Sequence, residues 1–498
     1  MAGSFHIENF GCRAARADGE AVASLLRAAG LSESRSADVD VVVVNTCSVT
    51  AEADREARAF IRRTNRINPD ARILATGCYA QRAPEELAKL PGISAIVGNS
   101  HKALAPEIVL ALLEAHAGHP MPAPQQQENG LIQIQSAQTA MVPPQVFVDD
   151  TFAHSFLEEA PVAPGAQTRP NLKVQEGCGN RCSFCVIPQT RGRSRSLPAD
   201  SILRHVEGFV SAGGNELVLS GINLGRWGRD LDPAQSPDST LAALVRQILG
   251  QTDLPRLRLS SIEPMDWTAD LLSLIAEFAG TRIARHAHLP LQSGSDAVLR
   301  RMHRRYRPWH YAEKVAALVS AAGPGLTVGA DVMAGFPGET DREFNETLDF
   351  IRALPFGYLH LFPFSPRPGT RAWSLHAESP IPSAVVAERM ALLRSLAAEK
   401  ISAHRGQFIT RELDALTLHT PPAFASSNRT SALTENFLPV ALDASLPANR
   451  LVRIRVTSLK ADGVLHAKLA SSNPTPYIPH FPIGPFNMAP EPIQQAAV

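Results

Sequence analysis

Cys178-Gly179-Asn180-Arg181-Cys182-Ser183-Phe184-Cys185 sets three thiols in a C-x3-C-x2-C loop directly after the extended stretch Asn171-Leu172-Lys173-Val174. Three thiolates are one short of the four corners of a four-iron cluster. The remaining iron, without a protein ligand, can take a small chelating molecule, whereas a structural zinc site closes with four ligands. The zinc alternative needs a fourth ligand nearby. His154 and His205 lie well outside the loop, and the other cysteines all precede His101. Phe184, next to the last cysteine, is placed to cover one side of a bound molecule. The loop therefore points to chemistry at a cluster rather than to scaffolding.

The other three cysteines share a different pattern. Cys12 follows the extended segment Phe5 to Phe10, Cys47 follows the apolar run Val39 to Val44, and Cys78 follows Arg72-Ile73-Leu74-Ala75-Thr76. Each stands at the carboxyl end of a predicted strand, the edge of an open α/β sheet where ligands bind. Three thiolates converging there suit a second cluster; the alternative is three unconnected cysteines packed as small hydrophobes. Val22, Leu25, Leu26 and Ala29 fall at helical spacing before Gly30, and Thr50 can cap a helix running to about Ile67 before Pro69. A further helix at Pro84 to Leu90 and a strand at Ala95-Ile96-Val97 complete a β-α-β-α-β order.

Beyond the C-x3-C-x2-C loop the alternation continues as expected for a (β/α)6 partial barrel. The runs Glu216–Ser220, Arg256–Ser260, His286–Ser295, Val328–Glu339 and Tyr358–Phe364 each carry a predicted strand that leads into polar or glycine residues. Ser220, Gly221, Asn223, Ser260, Glu263, Gln292 and Asp331 are the candidates, with Phe184, for contacting a ligand bound at the strand ends. Their alternative role is to satisfy backbone groups at strand ends. From about Arg405, strand-like pieces at 407–418, 433–442, 451–459 and 464–469 fit a small barrel.

These motifs together resemble one family. The cysteine loop looks like that of the radical S-adenosylmethionine enzymes. Gly11-Cys12, Asn45-Thr46-Cys47-Ser48-Val49-Thr50 and Thr76-Gly77-Cys78-Tyr79-Ala80-Gln81 are similar to the amino-terminal domain of the methylthiotransferases. That family joins this domain to a radical S-adenosylmethionine core and a small TRAM β-barrel, and the likeness runs from about Phe5 to about Leu469. It implies an N-terminal domain over 1–118, a core over 169–398 and a TRAM-like barrel over 399–470, with a linker at 119–168 and a tail at 471–498. The resemblance also implies two 4Fe-4S clusters, on Cys178, Cys182 and Cys185 and on Cys12, Cys47 and Cys78. S-adenosyl-L-methionine would be both radical source and methyl donor, and the second cluster would hold or deliver sulfur. A low-potential electron donor such as a flavodoxin or ferredoxin and a sulfur donor are implied partners.

The segment Asn45 to Arg55 resembles the MtaB branch, which acts on N6-threonylcarbamoyladenosine beside the anticodon of tRNA. Where that branch usually carries an Asn-Gln pair after Gly11-Cys12-Arg13, this chain has Ala15-Arg16. Sister branches modify isopentenyladenosine in tRNA or an aspartate of a ribosomal protein, and a non-catalytic metal-bound RNA-binding protein is the alternative from another class. Thr434-Glu435-Asn436-Phe437 resembles a TRAM motif, which implies RNA contact, with Arg429, Arg450, Arg453 and Arg455 as phosphate contacts. The alternative is a structural cap on the core.

Composition agrees. At 498 residues, 44% hydrophobic and 19% charged, the chain has material for several cores. No basic segment followed by an apolar core opens it, and six thiolate ligands require a reducing compartment, so a cytoplasmic monomer with no membrane association is expected. The formal net charge of zero does not by itself favour nucleic acid. Arginines are nevertheless clustered at 55, 58, 62, 63 and 66, at 300, 301, 304, 305 and 307, and at 181, 191, 193 and 195. Such clusters grip an anticodon stem-loop, or are solvated helix surface. The Pro- and Gln-rich stretch 118–165 reads as a linker and the Pro-rich end after Ser471 as an extended tail.

Overall fold

The computed structural model describes residues 3–34, 38–116, 143–154, 156, 160, 162, 167–234 and 238–470. The expected tail and most of the expected linker lie outside the described residues.

The N-terminal unit is built around the valine run. Its strands are β1 (Ser4–Asn9), β2 (Ser32–Glu33), β3 (Val41–Thr46), β4 (Arg72–Gly77), β5 (Ile93–Gly98) and β6 (Gln145–Phe147), parallel in the order β2-β1-β3-β4-β5-β6. Helices α1 (Arg13–Ala28), α2 (Ala51–Ile67), α3 (Cys78–Arg82), α4 (Pro84–Ala88) and α5 (Ala105–His116) connect them. Successive strand side chains point to opposite faces. Val42, Val44, Ile73 and Ala75 accordingly pack with Phe60, Ile61, Tyr79 and Ala80, while Val41, Val43, Leu74 and Val97 pack with Val22, Leu26, Val109 and Leu112. With apolar cover on both faces, β3 is buried along its whole length. Thr50 caps α2, accepting from the Ala53 N–H at 3.2 Å. One expectation is corrected. Residues 145–147 of the expected linker add β6 to the sheet edge, because Val146 and Phe147 pack on the two core faces.

The central unit runs through β7 (Asn171–Glu176), α6 (Ile187–Arg191), β8 (Arg195–Ser196), α7 (Ala199–Ser211), β9 (Glu216–Gly221), α8 (Leu241–Gln251), β10 (Arg256–Leu259) and α9 (Ala269–Phe278). It continues through β11 (His286–His288), α10 (Asp296–Arg301), α11 (Pro308–Ala322), β12 (Thr327–Ala334), α12 (Asp341–Ala353), β13 (Phe356–Pro363), α13 (Arg371–Glu378) and α14 (Ser383–Gly406). Six parallel strands form two hydrogen-bonded groups, β10-β9-β7 and β11-β12-β13, joined by the lone bridges Leu257↔Ile283 and Ser261↔His288. The result is the open (β/α)6 partial barrel, with β8 antiparallel on the edge of β7. Leu172, Val174, Leu217, Leu219, Leu257, Leu259, Ala287, Val328, Ala330 and Val332 join the core beneath the helices. Alternation then places Lys173, Gln175, Ser220, Arg258, Ser260, His288, Asp331, Tyr358 and His360 on the inner face.

The C-terminal unit is a closed barrel, β14-β15-β16-β18-β17. Its strands are β14 (Glu412–Thr417), β15 (Thr430–Thr434), β16 (Pro439–Leu442), β17 (Leu451–Leu459) and β18 (Leu465–Leu469), with a short helix at Pro422–Ala425. Two expected strands differ. The piece expected from 407 begins only at Glu412, because α14 continues past the expected boundary at 398 to Gly406 and Thr410 takes a positive φ of 70°. The piece expected at 433–442 is a hairpin, and Thr434-Glu435-Asn436-Phe437 is its turn, with Phe437 at φ 68°.

That turn packs against the central barrel, as in the alternative of a structural cap on the core. The Glu435 carboxylate accepts from the Arg285 guanidinium at 2.7 and 3.0 Å and from the Arg285 N–H at 3.2 Å. Asn436 donates to the Gly325 carbonyl at 3.0 Å, and Arg258 to the Thr434 carbonyl at 3.2 Å. The Phe437 ring sits 4.4 Å from the His286 ring and 5.3 Å from the Arg258 guanidinium. Glu216 holds Arg258 in turn: burial pushes its carboxyl up, but Arg258, Arg169 and Arg256 outweigh that and keep it at about 2. The phosphate contacts expected on this unit are also mostly engaged. Arg453 and Arg455 pair with Glu412 and Asp414, and Arg429 pairs with Asp443. No helix among the described residues is long and apolar enough to cross a membrane.

Glu435→Ala strands Arg285 and removes the main charged contact of the turn. A loss of about 3 kcal/mol is expected from breaking a buried pair, seen in calorimetry as earlier unfolding of the C-terminal barrel. An unchanged thermogram would contradict this docking role.

Candidate active site: two cysteine triads

The C-x3-C-x2-C loop is shaped by its backbone. Gly177 turns the chain out of β7 at φ 70°, where a Cβ would overlap the Arg193 carbonyl. The Cys178 N–H then donates to Gly192 O at 3.0 Å. Ser183 is clamped from both sides: its N–H donates to Met302 O and its hydroxyl to Arg301 O, while Ala372 N–H donates to Ser183 O. Burial pushes the Cys185 thiol up to about 12, and Cys182 and Cys178 add to it; Cys178 is raised likewise. Arg304 donates to the Cys182 sulfur at 3.2 Å and Asn223 to the Cys178 sulfur at 3.6 Å.

The second triad forms where three strands end. Cys12 caps α1 and is exposed, Cys47 follows β3, and Cys78 opens α3. Burial, then Cys12 and Cys78, push the Cys47 thiol up to about 12. Gly11 has φ 97°, and a Cβ there would overlap both Cβ and Sγ of Cys47. Asn99, one residue past β5, donates to the Cys78 sulfur at 3.4 Å, and Arg191 donates to it at 3.3 Å. Arg191 is the last residue of α6, the helix that starts two residues after Cys185. That short helix therefore lies between the two triads.

The donor sets fit iron–sulfur clusters better than zinc. Metal cations offset the burial that pushes the Cys47, Cys178 and Cys185 thiols up. Each triad offers three thiols, one short of a closed zinc site and suited to a four-iron cluster with one open corner.

The other sequence candidates divide. Asn223 Oδ1, Ser260 Oγ and Gln292 Oε1 are buried without a hydrogen-bond partner at the carboxyl ends of β9, β10 and β11. Glu263 pairs with Arg304 beside Cys182. Asp331 lies inside the barrel: burial raises it, but hydrogen bonds from His288 and His360 outweigh that and hold its carboxyl well below the usual range. The Ser220 hydroxyl is spent on the Leu172 carbonyl at 3.3 Å, so its role is at the strand end. A Cβ on Gly221 would press on Gln175 at 3.0 Å. The half-buried Phe184 packs against the apolar cluster of Val298, Met302, Met333, Phe336 and Ala372.

Sequence reasoning missed Asn99, although its place past a strand end carries the same signal as the cysteines. It placed Arg191 and Arg304 among phosphate contacts, and the structure buries both against sulfur. Arg55, Arg300, Arg301 and Arg307 are also paired, with Glu52, Asp296, Glu343 and Asp296.

A cavity of about 710 Å³ opens over the cysteine loop, lined by Cys178, Cys182, Cys185, Arg181, Arg193, His303 and Arg371 among others, with no carboxylate in its wall.

Residues 4–98 match the model of Uncharacterized protein family UPF0004, and residues 172–351 that of the Radical SAM superfamily. The chain is thus an iron–sulfur enzyme of the radical S-adenosylmethionine class, which uses a 4Fe-4S cluster and S-adenosylmethionine. It is 33% identical over 88% of its length to the threonylcarbamoyladenosine tRNA methylthiotransferase MtaB of Bacillus subtilis, covering 89% of that protein. To the MtaB of Aquifex aeolicus it is 32% identical over 90% of its length and 99% of the relative. To the tRNA-2-methylthio-N(6)-dimethylallyladenosine synthase of Sorangium cellulosum it is 35% identical over 80% of its length and 78% of the relative. The chain belongs to the methylthiotransferase family.

Gly11→Ala should displace Cys47, because the left-handed backbone and the overlap act together. Iron bound at the N-terminal triad is expected to fall while S-adenosylmethionine cleavage persists. Full iron loading in the variant would contradict the packing argument.

Proposed function

We propose that this protein is a tRNA methylthiotransferase that converts N6-threonylcarbamoyladenosine beside the anticodon to its 2-methylthio derivative. Cys178, Cys182 and Cys185 would hold the radical-generating cluster, and Cys12, Cys47 and Cys78 a second 4Fe-4S cluster that carries sulfur. The observation that bears most weight is the seating of two cysteine triads on either side of one short helix, α6. That separates radical generation from sulfur delivery yet keeps both near one barrel mouth. A cluster held by Cys178, Cys182 and Cys185 would supply the electron for reductive cleavage of S-adenosylmethionine. The chain's residues do the rest. Asn223 and Arg304 orient the ligand sulfurs, and Asn223 Oδ1, Ser260 and Gln292 offer unmet polar atoms to the bound nucleoside and methionine.

RNA binding is supported by the rim of the cavity. Arg181, Arg193 and Arg371 are exposed and without an acidic partner among the described residues, as are Arg62, Arg66 and Arg305 elsewhere. A base in a single-stranded anticodon loop can be turned out of its stack at low cost. The threonylcarbamoyl substrate is favoured over isopentenyladenosine by the longer shared span with the MtaB relatives. A cytoplasmic setting, a flavodoxin or ferredoxin as electron donor, and an external sulfur donor complete the proposal.

Three experiments test it. Expression in cells lacking this activity should yield 2-methylthio-N6-threonylcarbamoyladenosine in digested tRNA by mass spectrometry; the methylthio-isopentenyl nucleoside alone, or a modified ribosomal aspartate alone, would overturn the substrate. Replacing Cys178, Cys182 and Cys185 by alanine should remove about half the iron and all 5′-deoxyadenosine. Replacing Cys12, Cys47 and Cys78 should leave cleavage and abolish sulfur insertion, and normal product from that variant would remove the second cluster from the scheme.

A further inference from the structure

Arg191 is fully buried and makes three kinds of contact. Its Nε donates to the Cys78 sulfur at 3.3 Å, and its Nη1 donates to Glu176 at 2.6 Å and to Asp18 at 3.1 Å. Its Nη2 is buried with no partner. The two carboxylates are shared with Lys102, 2.6 Å from Asp18 and 3.4 Å from Glu176, and with Lys173, which contacts both. Three cations thus face two anions in a largely buried cluster, with Lys173 at its edge, 8% exposed. The excess positive charge has one open outlet, the guanidinium edge at Cys78, since neither lysine touches a sulfur.

We propose that Arg191 is a positioning residue of the second cluster site, tying the Cys78 sulfur to the barrel and raising the reduction potential of the cluster held there. This rests on the reading of Cys12, Cys47 and Cys78 as cluster ligands. A cation that hydrogen-bonds a ligand sulfur stabilises the more electron-rich state of a cluster, and without water its charge is weakly screened. The buried Nη2 of Arg191 has no acceptor, and a cluster held by Cys12, Cys47 and Cys78 would supply one. Asn99 repeats the arrangement without charge, donating to the Cys78 sulfur at 3.4 Å and to the Thr190 carbonyl at 2.8 Å. Cys78 is thereby gripped by two side chains that also fix α6. A purely structural arginine, bridging Asp18 and Glu176, would not affect the potential.

The test uses the full chain carrying Cys178→Ala, Cys182→Ala and Cys185→Ala, reconstituted anaerobically so that only the N-terminal site loads. Iron content, circular dichroism and an EPR-monitored redox titration are compared for this parent, Arg191→Gln and Arg191→Lys. The expected result is iron in all three, a more negative midpoint potential with altered EPR g-values in the glutamine variant, and an intermediate potential in the lysine variant, which keeps the charge but loses the fork. Iron at parent level with an unchanged potential in the glutamine variant overturns the role of Arg191 alone. A parent that binds no iron overturns the second cluster and this inference with it. Should Arg191→Gln not fold, Arg191→Lys decides: a potential equal to the parent's overturns the proposal, and a lower one supports it.

Discussion

The five buried charges of Asp18, Lys102, Lys173, Glu176 and Arg191 come from α1, the turn after β5, β7 and α6, and therefore from both the N-terminal unit and the barrel. Taking each ion out of water costs several kcal/mol, on the order of what a whole interface returns, and only dense hydrogen bonding offsets it. Burial alone would drive the Lys102 ammonium down, and it does, to about 8. Asp18 and Glu176 stay ionised because Lys102, Lys173 and Arg191 outweigh the burial that would raise them. Three cations stand against two carboxylates, and Arg191, which meets both carboxylates, also reaches the Cys78 sulfur. Two units thus depend on one another through a site that neither completes alone.

A second charged link fixes the opposite side. Asp54 near the start of α2 accepts from Arg82 at 3.0 Å and from Arg367, in the loop after β13, at 2.6 Å. The Ala51 N–H donates to the Ser365 hydroxyl at 3.0 Å. With links at α6 and at the loop after β13, the strand ends carrying Cys12, Cys47 and Cys78 cannot tilt freely against the barrel mouth. The distance between the triads is then a property of the fold rather than of the bound groups.

How far this was legible in the sequence follows from the range of each interaction. The cysteine loop, the valine-rich strands and the strand-end placement of Cys12, Cys47 and Cys78 are local patterns, and they read correctly into the parallel sheet and the open barrel. Charge is not local. Arg304 meets Cys182 across 122 positions and Arg191 meets Asp18 across 173, so an arginine run cannot disclose which members are buried. The run at 300–307 mixes a buried sulfur contact with helix-surface pairs for that reason. The turn at Glu435 is a further case. The TRAM resemblance that marks it does not disclose its partner Arg285, which lies 150 residues earlier.

The inner face of the barrel shows which candidates remain available to a ligand. Each polar residue there either finds a protein partner or waits for one, and leaving a buried polar atom unmet costs about 1–3 kcal/mol. His286 and His288 both meet the Tyr358 hydroxyl, at 2.8 and 3.0 Å, and Asp331 sits between His288 and His360. That chain across β11, β12 and β13 is closed among its own members toward the barrel base, where Phe437 covers it. At the carboxyl ends of β9, β10 and β11 the accounting does not close, because Asn223 Oδ1, Ser260 Oγ and Gln292 Oε1 have no partner. Gln292 also carries a φ of 64°, a conformation costly for a residue with a side chain. The base is not fully closed either, since Arg258 Nη1 is unmet there and Phe437 itself has a φ of 68°. The two ends differ in what faces the open atoms: the C-terminal turn covers those at the base, whereas Asn223, Ser260 and Gln292 stand at the mouth on the side of the C-x3-C-x2-C loop.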